Sequence, residues 1–309
     1  DVKQGIWKQL EGICRPDVVF ATNTSALPIT EMATILDDPG RMIGLHFFNP
    51  AHRMPLLEII CAKETSDQTL ATSVAFGRTI KKIPIVVNDG PGFYVSRQLG
   101  GLFGGAVFLS ADGVDGGLLE EAMIDFGMPM GPATLADLTG IDINYRVNKT
   151  FEKRLGERYK VHPLTEVIYN TGCYGRKTGA GYFDYSGEKP VPNPKVMEAV
   201  QVYLKEKGVA PRKMSKQDIT DTMLALGINE AAFMIEEGIC DRAQDMDLAM
   251  IYGTGFPPYR GGILRYADKW GLKNVYEKLQ ELEKQYGMRF QPAKLIKEMA
   301  ESGKTFYTG

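Results

Sequence analysis

Residues 42–60 decide the fold of this chain and contain its most informative side chains: Met42-Ile43-Gly44-Leu45-His46-Phe47-Phe48-Asn49-Pro50 and then, after a short connection, Leu56-Leu57-Glu58-Ile59-Ile60. Two apolar segments of strand length here carry an imidazole and a carboxylate. Upstream, Asn23-Thr24-Ser25 follows a third short apolar segment. Because α/β enzymes hold their reactive groups at the carboxyl ends of strands, these three segments predict an active site at one edge of a sheet.

Around this stretch, apolar strands alternate with helical patterns, which is typical of an open α/β sheet. No glycine-rich phosphate loop precedes the first strand, and we therefore expect residues 1–88 to hold only the C-terminal portion of such a domain. The predicted strands are 18–21, 42–45, 56–60 and 83–87, and the predicted helices are 2–14, 28–36 and 67–81.

Beyond the turn-forming residues 88–92, the pattern becomes helical. A first helical part is expected over residues 89–187, followed by a linker region at 188–216. The predicted elements of this part are helices over 93–110, 117–126, 134–155 and 163–171 and a small strand near 181–185.

Motifs of the first helical part recur in residues 217–309 at a nearly constant offset. Phe126-Gly127-Met128-Pro129 matches Thr254-Gly255-Phe256-Pro257, and Leu138-Thr139-Gly140 matches Lys269-Trp270-Gly271. Such self-similarity indicates a tandem duplication. The predicted fold class is therefore α/β and then all-α, with two copies of one helical domain.

The composition excludes several classes of protein. Hydrophobic residues make up 44% and charged residues 24% of the 309 positions, and the net charge is −2, so nucleic acid is not an expected partner. No apolar run approaches the roughly 20 residues of a membrane span. The four cysteines are scattered without a C-x-x-C pair, which argues against a zinc site or disulfides and is typical of a reducing compartment.

His46 and Glu58 are the candidate catalytic pair. If their strands are neighbours, the carboxylate orients the imidazole, fixes its tautomer and stabilises the imidazolium. Such a pair suits removal of a proton from a hydroxyl group. Two other interpretations stay open: His46 as a partly buried histidine at a strand end, and Glu58 as a solvent-exposed charge.

Ser25 and Asn23 are further candidates. Ser25 lies between a strand and a helix, where a hydroxyl often caps the helix and does nothing else. Alternatively, Ser25 binds a substrate oxygen while Asn23 faces a flat polar group such as a carboxamide. His52 and His162 lack a comparable setting, and we expect both to be surface or structural residues.

Several motifs closely resemble the L-3-hydroxyacyl-CoA dehydrogenase family. The resemblance covers almost the whole chain. The segments that carry it are Ala21-Thr22-Asn23-Thr24-Ser25-Ala26-Leu27-Pro28, His46-Phe47-Phe48-Asn49-Pro50, Leu56-Leu57-Glu58-Ile59-Ile60, Asp89-Gly90-Pro91-Gly92-Phe93-Tyr94, Pro129-Met130-Gly131-Pro132-Ala133 and Gly175-Arg176-Lys177-Thr178-Gly179.

This resemblance implies a Rossmann-like domain that binds NAD and acts on an acyl-CoA substrate. It implies that His46 removes the proton of the 3-hydroxyl group while hydride leaves C3, and that Glu58 orients His46. Ser25 would bind the substrate oxygen, and Asn23 would lie near the nicotinamide.

Two further residues follow from the resemblance. Lys3 aligns with a family lysine near the cofactor. The family segment Phe-x-x-Asn-Arg usually supplies an asparagine beside the histidine, but here it reads Phe93-Tyr94-Val95-Ser96-Arg97. Ser96 therefore takes the place of the asparagine, and altered contacts rather than inactivity are expected.

The duplicated helical domain resembles the multifunctional branch of the family, in which an enoyl-CoA hydratase domain precedes the dehydrogenase. That branch implies fatty-acid β-oxidation, a thiolase subunit as a partner in a larger complex, and the mitochondrial matrix as the compartment. A bacterial cytoplasm or a peroxisome is the alternative location.

Two rival functions remain open at this point. One is another β-hydroxyacid dehydrogenase with a similar base and a different substrate. The other is a non-catalytic scaffold or a fragment of the multifunctional enzyme. Ser96 in place of the asparagine and the absent phosphate loop both favour this second alternative. A gain of NADH-dependent activity on restoring the upstream residues would distinguish an enzyme from a scaffold.

Overall fold

The computed structural model describes residues 2–24 and 27–307, and for residues 2–4 it describes the backbone alone. The chain forms two compact units. Unit 1 comprises Asp1–Arg97 and Phe233–Arg265, and unit 2 comprises Gln98–Ala232 and Tyr266–Gly309. Unit 1 therefore combines the predicted α/β part with a segment from the second helical copy.

The elements follow the predicted order, an α/β part and then a helical part. The strands are β1 (Phe20–Thr22), β2 (Met42–Phe47), β3 (Leu56–Cys61), β4 (Ile83–Asn88), β5 (Phe183–Asp184) and β6 (Val191–Pro192). The helices are α1 (Val2–Ile13), α2 (Ile29–Ala33), α3 (Asp67–Thr79), α4 (Val95–Ala111), α5 (Gly116–Phe126), α6 (Pro132–Thr139), α7 (Ile141–Leu155), α8 (Pro163–Asn170), α9 (Pro194–Glu206), α10 (Lys216–Glu236), α11 (Ala243–Thr254), α12 (Ile263–Trp270), α13 (Leu272–Tyr286) and α14 (Lys294–Ser302).

Unit 1 is built on a sheet with the strand order β1-β2-β3-β4. β1 pairs with β2 and β3 pairs with β4 in parallel, whereas β2 and β3 are antiparallel. The antiparallel pair is possible because residues 48–55 reverse the chain without a crossover helix. The sheet is thus mixed, with β2 and β3 at its middle.

Successive side chains of β2 and β3 point to opposite faces of the sheet, and a different helix covers each face. α3 packs on the face formed by Leu45, Leu57 and Ile59, which are buried in one core cluster. On the opposite face, Gly253 of α11 approaches Leu56 so closely that an added Cβ would lie 2.6 Å from the Leu56 Cδ2 atom. His46 and Glu58 share the parity of Leu56 and lie on this second face.

Two predicted helices differ from the observed ones. The helix predicted over 28–36 is shorter, because α2 ends at Ala33. The helix predicted over 134–155 is in fact two helices, α6 and α7, that meet at Gly140. This glycine has φ +98°, which no helix interior tolerates, and its N–H closes α6 on the Ala136 carbonyl.

In unit 2, α7, α8 and α9 form a common core. Its buried residues are Ile141, Leu164, Ile168 and Val196. Val196 belongs to α9, which lies in the segment predicted as a linker region. This segment therefore includes a packed helix.

The two helical copies repeat the same element order and the same polar contacts. In the first copy, buried Glu120 accepts hydrogen bonds from the backbone N–H groups of Gly131 and Ala133, each at 3.0 Å, at the start of α6. In the second copy, buried Asp247 accepts from Leu264 and Arg265 at the start of α12, at 2.8 and 3.0 Å. The repetition supports the predicted duplication, while the predicted boundaries at 88, 187 and 216 stay predictions.

A second pair of equivalent carboxylates differs in burial. Asp137 accepts from the backbone N–H groups of Tyr182 and Phe183 at 2.8 and 2.9 Å and is 1% exposed. Asp268 accepts in the same way from Phe306 and Tyr307 but is only half-buried. Burial raises the pKa of Asp137, although its hydrogen bonds oppose that shift.

Replacing each of these two aspartates by alanine should therefore cost different amounts of stability. We expect Asp137→Ala to lower the free energy of unfolding by about 3 kcal/mol, since it leaves buried N–H groups without an acceptor. Asp268→Ala should cost less, about 1 kcal/mol, because water can reach this half-buried place and partly replace the carboxylate. Urea denaturation of both variants tests this, and equal losses would contradict it.

Candidate active site

His46 and Glu58 lie directly opposite each other on β2 and β3. The imidazole Nδ1 atom is 2.8 Å from the Glu58 Oε2 atom. His46 is 8% exposed and Glu58 is fully buried. The predicted contact between the two side chains is therefore present, but His46 lies within β2 and not beyond its end, since β2 extends to Phe47.

The second oxygen of Glu58 is held by the backbone at the start of α4. Oε1 accepts hydrogen bonds from the N–H groups of Tyr94 and Val95, at 2.8 and 3.2 Å. A buried carboxylate is costly unless it is hydrogen-bonded, and the first N–H groups of any helix have no acceptor within the helix itself. The positive end of the helix dipole further favours a negative charge at this place.

The chain reaches this geometry through two consecutive left-handed residues, Gly92 with φ +74° and Phe93 with φ +52°. The left-handed conformation is strained for a residue that carries a Cβ. Phe93 is completely buried, and its ring centroid lies 6.2 Å from that of His46. Packing and hydrogen bonding therefore hold a strained residue beside the candidate base.

The exposed edge of the imidazole is defined by its other contacts. Phe48 packs against the ring at a centroid distance of 4.4 Å. Because the carboxylate of Glu58 accepts the Nδ1 proton, Nε2 of the neutral ring is left as an acceptor. The arrangement can accept a proton at Nε2 and stabilise the resulting charge through Glu58.

Asn23 follows β1 at the edge where the parallel pair β1 and β2 ends. Its Oδ1 atom accepts a hydrogen bond from the N–H of Phe47 at 3.2 Å, and the residue is otherwise exposed. This places the predicted cofactor residue beside the strand residue that follows His46. An exposed carboxamide at the carboxyl edge of an α/β sheet suits a bound nucleotide.

Of the remaining predicted site residues, the structure describes Ser96 but neither Ser25 nor the side chain of Lys3. Ser96 lies in the first turn of α4, directly after the two N–H groups that bind Glu58, and it is half-buried. Ser25 and the side chain of Lys3 lie outside the described residues, so their predicted roles stay predictions.

The other histidines are not part of this site. His52 is exposed in the connection between β2 and β3. His162 precedes α8, and its Nδ1 atom accepts from the N–H of Leu164 at 3.2 Å. Burial lowers the pKa of His162, as expected for a structural histidine.

Neither a metal site nor a membrane-spanning helix is found in the part of the chain that the structure describes. Within residues 2–24 and 27–307, no group of three or more His, Cys, Asp or Glu side chains could hold a metal ion. None of the helices described is long and apolar enough to cross a membrane.

Ser96 of α4 was a predicted site residue, but the contribution of the backbone at the start of α4 was not predicted. Two backbone N–H groups and the strained Phe93 hold Glu58 and His46, and backbone groups have no signature of their own in a sequence. The only signal was the density of turn formers in Asn88-Asp89-Gly90-Pro91-Gly92, which predicts an unusual backbone but not its target.

Exchanging the carboxylate for an amide tests this geometry directly. In Glu58→Gln, the amide oxygen should face the two backbone donors, so the amide NH2 group faces His46. His46 must then accept at Nδ1 and carry its proton on Nε2. We expect 15N NMR of the imidazole to show this change of tautomer. A proton that remains on Nδ1 in the variant would contradict the proposed arrangement.

Comparisons with known proteins place these features in a wider context. Residues 1–90 match the sequence model described as "3-hydroxyacyl-CoA dehydrogenase, NAD binding domain". Residues 92–185 and 219–307 each match that of the C-terminal domain of the same family. The C-terminal match thus occurs twice, in agreement with the predicted duplication.

Curated relatives match almost the whole chain. A fatty acid oxidation complex subunit alpha from Shewanella amazonensis is 39% identical over 308 residues, which cover 99% of this chain and 43% of the relative. The peroxisomal fatty acid beta-oxidation multifunctional protein AIM1 of Arabidopsis thaliana is 37% identical over 307 residues, covering 98% and 43%. The chain therefore spans less than half the length of these relatives.

Solved structures share the fold. The dehydrogenase part of multifunctional enzyme 1 from C. elegans is 28% identical, with a TM-score of 0.66, covering 96% of this chain and 68% of that one. A 3-hydroxybutyryl-CoA dehydrogenase from Escherichia coli K12 superposes with a TM-score of 0.82 at 23% identity, covering 98% and 79%. The second likeness concerns the fold alone.

Proposed function

This chain belongs to the 3-hydroxyacyl-CoA dehydrogenase family, and we propose that it oxidises the 3-hydroxyl group of an L-3-hydroxyacyl-CoA to a ketone. The observation that carries this proposal is the buried pair of His46 and Glu58, with an Nδ1–Oε2 distance of 2.8 Å. Residues 1–90 match the NAD-binding domain of the family, and NAD is its cofactor.

In the proposed reaction, His46 removes the proton of the substrate hydroxyl. The Nδ1 proton is held by Glu58, so Nε2 is the only ring atom that can accept another. The imidazolium that forms is stabilised by the carboxylate, which has no exposure to solvent. Because a buried pair is weakly screened, this stabilisation is larger than for an exposed pair.

Bound NAD would supply the acceptor for the hydride of C3. Asn23 is the residue we propose for the nicotinamide side, because its exposed carboxamide lies at the edge where β1 and β2 end. Lys3 is proposed near the cofactor on the family resemblance alone. Ser25 and Ser96 are proposed to bind the substrate oxygen, and the place of Ser96 in the first turn of α4 supports this role.

Two aromatic rings beside the pair favour catalysis over a scaffold role. Phe48 and Phe93 pack against the imidazole and exclude water from its faces. The structural carboxylate of Glu120 is also buried and accepts from backbone N–H groups, whereas Glu58 additionally holds an imidazole. The pair and its surroundings therefore favour an enzyme.

We further propose that the chain acts in fatty-acid β-oxidation as part of a multifunctional enzyme. Two relatives that match nearly the entire length of this chain support the proposal. One is named as a subunit of a fatty acid oxidation complex, and the other as a multifunctional protein of fatty acid beta-oxidation. An enoyl-CoA hydratase activity and a thiolase partner rest on the family resemblance. The relatives named above include bacterial proteins and a plant peroxisomal protein, and the mitochondrial matrix stays a prediction.

The test is oxidation of NADH that depends on acetoacetyl-CoA. The chain should be assayed beside a version extended upstream through a glycine-rich loop, which would complete the nucleotide site if the chain alone lacks it. We expect turnover, and a loss of about 10²–10⁴-fold in kcat for His46→Gln, the range that a general base contributes.

Acetoacetate without CoA is the control substrate. Activity on the free acid comparable with that on the thioester would favour the rival β-hydroxyacid dehydrogenase. If both versions are folded and neither oxidises NADH with either substrate, the scaffold function replaces the proposed one.

A further inference from the structure

A fully buried arginine lies in the first turn of the helix that holds Glu58. Arg97 of α4 has no exposed surface, and its Nη2 atom lies 2.7 Å from the Oε1 atom of Glu237. Its Nη1 atom pairs with the other oxygen of the same carboxylate. Glu237 follows α10 and lies 140 positions further along the chain, in the second helical copy. A bidentate pair of this kind fixes orientation as well as charge.

The residues after Glu237 bind the other end of the same connection. The Nδ2 atom of Asn88 donates to the Gly238 carbonyl at 2.7 Å, and the N–H of Asn88 donates to the Ile239 carbonyl at 2.8 Å. The Ile239 side chain packs closely on Gly90. A Cβ added to Gly90 would lie 2.2 Å from the Ile239 Cδ1 atom. Residues 237–239, which we call the clamp, thus contact both ends of the β4–α4 connection.

That connection carries the backbone groups on which the candidate pair depends. It includes the left-handed residues Gly92 and Phe93 and ends with the N–H groups of Tyr94 and Val95. Since Phe93 is strained, its conformation persists only where the surroundings hold both ends of the segment. The clamp holds one end at Asn88 and the other at Arg97.

We propose that Glu237 is a positioning residue for the active site and that the second helical copy acts on catalysis through the clamp. The ion pair with Glu237 fixes the position of Arg97 and thereby of the first turn of α4. That turn positions the two N–H groups that bind Glu58, and Glu58 orients the imidazole of His46. The catalytic consequence rests on the proposed function, but the positional consequence does not. A shift of the base by about 1 Å can cost 100-fold in rate, so small displacements of the clamp matter.

A purely stabilising role for the same ion pair makes a different prediction. Such a role would lower stability on mutation and leave the geometry of His46 in the folded protein unchanged. Asp112 offers the matched control, since its Oδ2 atom accepts from the Arg212 Nη1 atom and the Tyr286 hydroxyl, both at 2.7 Å, within unit 2. Asp112→Asn removes a comparable arginine partner away from the connection.

The experiment is proton NMR of the chain, in which an imidazole N–H bonded to a carboxylate gives a low-field resonance that is visible only while it exchanges slowly with water. Loss of the signal in His46→Gln assigns it. In Glu237→Gln, which keeps the shape of the side chain, we expect this resonance to broaden or disappear while the far-UV circular dichroism stays that of the parent. Asp112→Asn should lower the melting temperature and leave the resonance in place.

Asn88→Ala provides a second, milder variant that loosens the other end of the clamp. It should broaden the same resonance to a smaller extent. An unchanged resonance in both clamp variants, or an equal loss in Asp112→Asn, overturns the proposal. Because no cofactor or substrate is needed, the result stands whether or not the chain proves to be a dehydrogenase.

In a version that turns over, kinetics give a separate check. We expect Glu237→Gln to lower kcat about tenfold, a fraction of what a 1 Å displacement of the base can cost, with little change in KM for acetoacetyl-CoA. A change in KM alone, with kcat as in the parent, contradicts a positioning role.

Discussion

The buried carboxylate of Glu58 is the constraint on which the rest of unit 1 depends. A charge without solvent contact needs donors, and here three donors come from two places that are distant in the sequence: the ring of His46, and the N–H groups of Tyr94 and Val95. Satisfying the charge therefore brings β2, β3 and α4 to one point. The sheet has to be paired in a single register, because a slip by one residue would turn Glu58 to the α3 face.

The two helical copies differ in the group that caps the start of their equivalent helices, α4 and α10. In the second copy, the equivalent helix α10 is capped locally, since the Ser215 hydroxyl accepts from the N–H of Asp218 at 3.0 Å. In the first copy, the start of α4 is capped by Glu58, a residue of the sheet. The copies keep the same internal carboxylates at their later turns, such as Glu120 and Asp247. The two copies thus differ at the turn that faces the candidate site.

The sequence predicts the pairing of His46 with Glu58 well, because strand periodicity is local and both residues share one parity on adjacent apolar segments. It predicts the break at Gly140 poorly, since helical spacing continues on both sides and only the positive φ separates α6 from α7. Contacts between remote segments are beyond such patterns. Glu237 reads as one of two glutamates at a helix end, and nothing in its neighbours indicates that it meets a buried arginine.

The strained Phe93 has a consequence for how this protein acquires its chemistry. Its left-handed backbone is held only when the sheet, the start of α4 and the segment after α10 have all come together. A molecule in which these segments have not met therefore has the imidazole of His46 without the contacts that orient it. The orientation of this ring is thus a property of the tertiary structure of unit 1, and its strands and helices alone do not provide it.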